Sequence, residues 1–384
     1  MNGERKFPEG SLDRMAMQEE KRSALIFGGA GFIGANLARH LLLETGARVH
    51  LFDNLSRKGV QHNLEQLKGI SGASRRLRVT IGDVRDASAV ERAVRDATEI
   101  YQFAAQVAVT TSVIDPRQDF ETNCVGTFNV LDAARRAGNQ PFLLFTSTNK
   151  VYGEMSDEPL QALPSRYAYA NRRAVSEEQP LDFHSPYGCS KGAADQYVRE
   201  FSRVYGLPTV VFRMSCIAGE MQYGNEDQGW VAHFLYQSLR GAPLTIYGDG
   251  RQVRDVLYVG DLIHAIDLVR VCLPITKGQA YNIGGGPENT LSLIELIDEI
   301  EKLTGKRPEL ARGPRRTGDQ FIYVSDYTKF MRHTGWKPKL TVHQTLAAIL
   351  DFWQQHREIF AQPRIPMELQ AAPAKKLAFL ERTA

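Results

Sequence analysis

The chain has 384 residues, 43% of them apolar and 24% charged, enough to bury a full core in one large domain or two coupled ones. Lys and Arg outnumber Asp and Glu by only 47 to 44, so the charge carries no signature of a nucleic-acid binder. Four scattered cysteines without C-x-x-C spacing speak against a metal site or a disulfide framework and fit a cytoplasmic protein, and no apolar run nears the ~18 residues of a membrane span.

Residues 1–22 mix charges of both signs without an apolar h-region, so they read as a flexible extension and not as a secretory signal. Ala24-Leu25-Ile26-Phe27 then predicts a buried strand that runs into glycines. Phe32 to Glu44 has apolar residues at helical spacing and stops at Gly46. Strands are predicted at Val49–Phe52 and Leu77–Ile81, joined by a polar, glycine-containing connection. A helix over Ala87–Arg95, a strand over Glu99–Ala104, a long helix over Phe120–Ala137 and a strand over Gln140–Thr146 continue the alternation. Strand alternating with helix at this spacing implies an α/β fold with a doubly wound parallel sheet. Residues 153–185 interrupt the rhythm and read as a long surface insertion. Tyr187–Tyr205 predicts a helix and Pro208–Phe212 a sixth strand.

Beyond residue 213 shorter elements alternate with helices near 230–240, 260–272 and 291–304, as in a smaller domain laid over the strand ends. The expected organisation is a dinucleotide-binding (Rossmann) domain over 23–212 with parts of 255–285, and a substrate domain over 213–254 and 286–361. A C-terminal tail follows from 362 to 384.

Gly28-Gly29-Ala30-Gly31-Phe32-Ile33-Gly34 lies between the first strand and first helix, where glycines let backbone N–H groups approach a pyrophosphate at a helix N-terminus. Asp53, followed by Asn54, ends the second strand 19 residues past Gly34. A carboxylate there can accept both ribose hydroxyls of NAD and repels a 2′-phosphate, although Arg57 and Lys58 are close by. Asp83-Val84 is a candidate for the adenine side, and Ala104-Ala105-Gln106 flanks the crevice after the fourth strand.

Tyr187 and Lys191 are four apart in a predicted helix and share a face. At ~4–5 Å and a dielectric of ~20 the ammonium favours the phenolate by about 3–4 kcal/mol. That would carry a phenol from its usual value near 10 towards neutrality, where it can act as a base. Thr146 to Gly153 follows the fifth strand at the carboxyl edge, where ligands of such sheets bind, and a hydroxyl there can bond a bound ligand. Capping the strand end is the plainer role for the same residues.

Together these residues resemble the extended short-chain dehydrogenase/reductase family and, within it, the CDP-paratose 2-epimerases, over about Ala24 to Trp353. The stretches 147–153, 182–197, 227–234 and 250–257 carry the likeness. The resemblance implies Thr148, Tyr187 and Lys191 as the catalytic trio. It implies a nucleotide-sugar substrate, CDP-linked, whose C2 is oxidised by bound NAD to a 2-keto sugar and reduced again from the other face. Arg254 and Arg316 are similar to arginines that grip the diphosphate, a contact that suits a guanidinium. Asn149, Cys216 and Gln228 are further expected substrate contacts.

In 4,6-dehydratases of related type an acidic pair follows the catalytic threonine; this chain has Asn149-Lys150. Ala218 stands where related enzymes usually have tyrosine, and Cys216 where many place a ligand-contacting asparagine. A C4 epimerase or a reductase of another nucleotide sugar is the neighbouring reading, and a non-catalytic NAD-sensing protein the remote one. Helices near 120–137 and 187–205 resemble a pair that forms an intersubunit bundle, which implies a homodimer or homotetramer.

Overall fold

The computed structural model describes residues 22–316 and 319–360. Of the flexible extension expected over 1–22, Arg22 is described and is instead buried and bonded to Glu99 at 2.9 Å, while residues 1–21 and the C-terminal tail lie outside the described residues. Seven parallel strands form the central sheet: β1 (Ser23–Phe27), β2 (Arg48–Asp53), β3 (Leu77–Ile81), β4 (Glu99–Gln102), β5 (Phe142–Thr148), β6 (Thr209–Met214) and β7 (Ala280–Ile283). Their order is β7-β6-β5-β4-β1-β2-β3, and every neighbouring pair is parallel. The chain therefore reverses its direction of winding between β1 and β4, and a crevice opens at their carboxyl ends.

The continuous apolar strands follow from burial on both faces. In β1, Ala24 and Ile26 enter one core with Leu37, Leu41 and Val49, whereas Leu25 and Phe27 enter the other with Val90, Val130 and Phe201. At about 1.5–3 kcal/mol for each fully buried large apolar side chain, these two layers hold the sheet rigid against its helices. The helix Ser185–Tyr205 belongs to the second layer; Pro186 sits in its first turn and Gly206, at φ 71°, ends it in the left-handed conformation.

Four expectations need correction. The connection after β2 is not loop throughout but contains helices Val60–Lys68 and Ala73–Arg76. The strand expected to reach Ala104 ends at Gln102. The long helix over 120–137 is divided into Pro116–Phe120, a π-helical turn over Glu121–Val125, and Gly126–Arg136. The π-turn aims Asn123 back at Gln106 and Ser190, which an uninterrupted α-helix would not do. The 153–185 insertion contains a short antiparallel hairpin, Leu160–Ala162 with Tyr167–Tyr169. It is fastened when Arg166 donates to Glu295 and to the Thr290 hydroxyl.

Over the carboxyl edge, the strand Val253–Tyr258 pairs with Cys216–Ala218, Thr290–Ser292 and Ile322–Tyr323, and Leu244–Tyr247 pairs with Leu310–Gly313. Helix Leu293–Thr304 starts in a Ser292/Glu295 capping box. Among the described residues no helix is long and apolar enough to cross a membrane.

Candidate active site

The site is built from the ends of β1, β2, β4 and β5 inward. Gly28 has φ +73°, and a Cβ on it would stand 2.8 Å from the Ala104 nitrogen; one on Gly34 would stand 2.3 Å from the Gly28 oxygen. Only glycine permits β1, the turn and the following helix to lie this close. The helix Phe32–Glu44 begins at Gly31 with no side-chain cap, so the N–H groups around Phe32 and Ile33 open on the crevice. At the end of β2, Asp53 accepts hydrogen bonds from the backbone N–H of Ala30 (3.0 Å) and Leu55 (2.8 Å). A cradle that side chains would fill, an uncapped helix start and a carboxylate beside it suit a dinucleotide's pyrophosphate and ribose.

On the far side of this cradle, Asn54 donates to Asp83 at 3.3 Å and Arg85 grips the same carboxylate at 2.8 Å. The guanidinium, together with Asn54, holds Asp83 down at about 2. Val84 is buried, and its carbonyl accepts from Asn129. After β4, Ala104 backs Gly28, the Ala105 carbonyl accepts from Arg57 at 3.0 Å, and Gln106 is fixed by Asn123 and Asp119.

Thr148 ends β5 and shares the cavity wall with Tyr187, which is only 8% exposed, while the Thr148 hydroxyl donates to the Asn149 carboxamide oxygen at 3.3 Å. Below them Lys191 donates to the Thr146 carbonyl at 2.6 Å and lies 4.1 Å from the centre of the Phe145 ring. One turn further along the helix, Asp195 makes a buried bidentate pair with Arg213 (2.9 and 3.0 Å), and Arg213 also donates to the Tyr152 hydroxyl. The expectation that Lys191 brings Tyr187 near neutrality is not met, because burial acts on the phenol the other way. Burial pushes the phenol up to about 12, against the opposing pull of Thr148 and with Asp119 adding to the rise. Burial likewise takes Lys191 down to about 7. The ammonium is committed to the Thr146 carbonyl and the Phe145 face, and it does not offset the desolvation of the phenol.

Beside the pair opens a cavity of about 380 Å³ that gathers Phe32, Ile33, Thr148, Asn149, Tyr187, Cys216, Gln228, Arg254 and Arg316 from the expected set. Gly28, Gly31, Gly34, Asp53, Asn54, Asp83, Val84, Ala104, Ala105 and Gln106 are not in its wall and belong to the cradle, while Lys191 lies beneath. Arg254 is nearly buried and donates to Asp319 at 2.6 Å. Arg316 donates to the Glu226 carbonyl at 2.9 Å, approaches Asp227 at 3.2 Å and covers the Tyr247 ring at 3.8 Å. The Trp230 indole N–H points at the Cys216 sulfur at 3.1 Å, and Asn149 reaches Gln320 at 3.4 Å. The Gln228 carboxamide oxygen is taken by Arg57.

Sequence reasoning missed several wall residues. Lys150 faces Asp319 at 3.8 Å and is lowered to about 8 by burial and by Arg254. Asp319 joins Lys150 and Arg254 from a distant loop. His233 and Tyr247 add an aromatic wall. The only local hint was the clustering of charge around 226–227 and 312–319.

A family profile described as GDP-mannose 4,6 dehydratase matches residues 25–349. A CDP-paratose 2-epimerase of Salmonella typhi is 38% identical over 336 residues, which cover 85% of this chain and 98% of that protein. A dTDP-glucose 4,6-dehydratase of Shigella flexneri is 32% identical over 352 residues, 86% of this chain and 92% of that one. Among solved structures, the UDP-glucose 4-epimerase of Thermus thermophilus in complex with NAD matches with a TM-score of 0.73 at 32% identity. That match covers 87% of this chain and 99% of that chain.

Proposed function

The chain belongs to the GDP-mannose 4,6-dehydratase family within the extended short-chain dehydrogenases/reductases, and from that premise we propose that it is an NAD-dependent epimerase inverting C2 of a CDP-linked hexose or deoxyhexose. One observation carries the reading. The cavity wall joins Thr148 and Tyr187 to Asn149 and Lys150, so the segment that follows the threonine offers no carboxylate for elimination chemistry. The extent of the likeness to a CDP-paratose 2-epimerase supports the choice of C2 and of the cytidine nucleotide.

NAD, when bound, supplies the hydride acceptor and donor. Gly28, Gly31 and Gly34 with the start of the Phe32–Glu44 helix would hold its pyrophosphate, and Asp53 its adenosine ribose. Thr148 orients the sugar hydroxyl; Tyr187, as phenolate, takes its proton while C2 is oxidised and gives the proton back when the 2-keto sugar is reduced on its other face. Lys191 stands one turn below to hold the phenolate once a ligand fills the crevice. Arg254 and Arg316 would exchange Asp319 and Asp227 for the diphosphate, leaving the sugar free to turn. Phe120, Phe128, Tyr197 and Tyr205 are exposed on the helices over 116–136 and 185–205, which supports association through that face into a homodimer or homotetramer.

The test is to incubate CDP-, UDP- and GDP-sugars with the enzyme and read the products by NMR. Inversion at C2 with deuterium retained from a C2-deuterated substrate, and lost turnover in Tyr187→Phe, is the expected result. Stoichiometric uptake of solvent deuterium at C2, inversion only at C4, or net consumption of added NADH would overturn it.

A further inference from the structure

The loop between β2 and the helix Val60–Lys68 is shaped with unusual care for a surface turn. Leu55 takes the left-handed conformation (φ 54°), its N–H is held by Asp53, and Ser56 N–H is held by the Asn54 side chain. The effect is to throw Arg57 across the crevice. Its guanidinium donates to the Ala105 carbonyl at 3.0 Å on the cofactor wall and to the Gln228 carboxamide on the loop that precedes helix Trp230–Leu239. Arg57 is within electrostatic reach of both Asp53 and Tyr187, the two ends between which a dinucleotide would lie.

The rest of the rim is fastened in the same direction. Tyr223 packs on Gly59, where a Cβ would stand 2.3 Å from the ring. Asn63 donates both to Ala30 in the glycine loop and to Met221. Asn36, on the first helix, donates to the Glu220 carbonyl. The segment 220–228 is thus tied to the cofactor side at four points, from the loop at Arg57 and Gly59 and from the helices at Asn63 and Asn36, and of these the Arg57–Gln228 contact is the one that also reaches the Ala105 carbonyl.

We infer that Arg57 and Gln228 form a clasp over the cofactor groove that sets how long NAD remains bound. An enzyme that takes a hydride and returns it to the same sugar has no need to exchange its cofactor, and a latch that slows release costs it no turnover. The inference rests on the NAD-binding part of the function proposed above and not on which carbon is inverted. Opening requires the guanidinium to leave two acceptors at once, so loss of either side of the bridge should speed release.

The experiment loads the full-length protein with NADH, chases with excess NAD, and follows the decay of protein-bound NADH fluorescence. A parallel sample is gel-filtered and its NAD content measured. Arg57→Ala and Gln228→Ala are each expected to release NADH about tenfold faster than the parent and to carry less NAD through the column. The double variant should be little faster than either single one, because both remove the same bridge. Thermal melting without cofactor checks that each variant is folded. Unchanged or slower release in Arg57→Ala overturns the clasp. So does fast release in Arg57→Ala with parental release in Gln228→Ala, which would make Arg57 a simple ligand of the pyrophosphate. A parent protein that binds neither NAD nor NADH would overturn the cofactor assignment itself.

Discussion

On the function proposed above, the cofactor side and the substrate side of the crevice solve the problem of recognition in opposite ways. The cofactor cradle is main chain: Gly28 and Gly34 let backbone approach backbone, and Asp53 is stitched to the loop by two N–H groups. Once the Arg57–Gln228 clasp is open, its main chain needs no rearrangement to receive an anion. The proposed substrate side is side chain, drawn from 226–230, from Tyr247, Gln252 and Arg254, and from Arg316 and Asp319, and its cations already have anions. Arg254 has Asp319, and Arg316 has Glu226 and Asp227. One half is preorganised and the other must trade partners. Damage to the first should behave as a steric failure, and damage to the second as a graded loss of affinity.

The largest test of that contrast is Gly34→Ala. Its methyl would meet the Gly28 carbonyl oxygen at 2.3 Å, which is backbone and cannot step aside alone. Misplacing two pyrophosphate-binding N–H groups at ~1.5 kcal/mol each should weaken NAD binding about 100-fold, measured by titration of NADH fluorescence. Binding within about threefold of the parent would show the cradle to be softer than its geometry implies.

Arg254→Ala should be milder and confined to the other half. A rise in KM for the nucleotide sugar of about 10- to 50-fold is expected for the loss of one charge-assisted contact, read from initial rates, with NADH release as in the parent. The released Asp319 keeps Lys150 as a partner, which limits the damage. A large change in cofactor release would mean that the two halves are not separable.

The smallest effect is on stability and belongs to the cofactor half alone. His50 in β2 is buried against Thr80, and burial, with Arg78, lowers it to about 4. Its folded value lies below the unfolded one near 6.5, so the unfolded chain binds the extra proton between these values. Stability from keeping His50 neutral is therefore complete above about pH 6.5 and falls as pH drops towards 4. Urea denaturation at pH 7.5 and 5.0 should show a loss of about 1–2 kcal/mol that is absent in His50→Gln. An equal pH response in the variant would remove His50 as its source.

The same contrast governs what could be read in advance. Strands β1, β2, β5 and β6 announced themselves because a sheet covered on both faces needs long apolar runs. β3, at the sheet edge, is only half-buried and was legible from its alternating Leu77, Val79 and Ile81. β7 was not, since Asn282 in its middle is buried to meet Tyr152, Val175 and Glu177. The helix Val60–Lys68 was hidden by its polar residues, of which Asn63 points inward to bond two carbonyls. The insertion's hairpin depends on Arg166 finding Glu295, 129 residues away. On the site, the glycines, Asp53, Thr148, Tyr187 and Lys191 lie in local patterns. Asp319 and the reach of Arg57 to Gln228 are products of the fold, with no local pattern to reveal them. The expected ease of ionising Tyr187 failed for a similar reason: the spacing of the pair was legible, but the burial that raises the phenol was not.

The buried pair of Asp195 and Arg213 has a consequence for how the molecule breathes. It locks the helix that carries Tyr187 and Lys191 to β6, and through the Tyr152 hydroxyl and Asn282 to β7. Local opening should therefore begin at the charged rim of the substrate loops and reach the Ser190–Val198 stretch last. In hydrogen–deuterium exchange the amides there should outlast those of residues 219–229. The Tyr187–Lys191 pair then keeps its register with the sheet while the loops over 219–229 come and go around it.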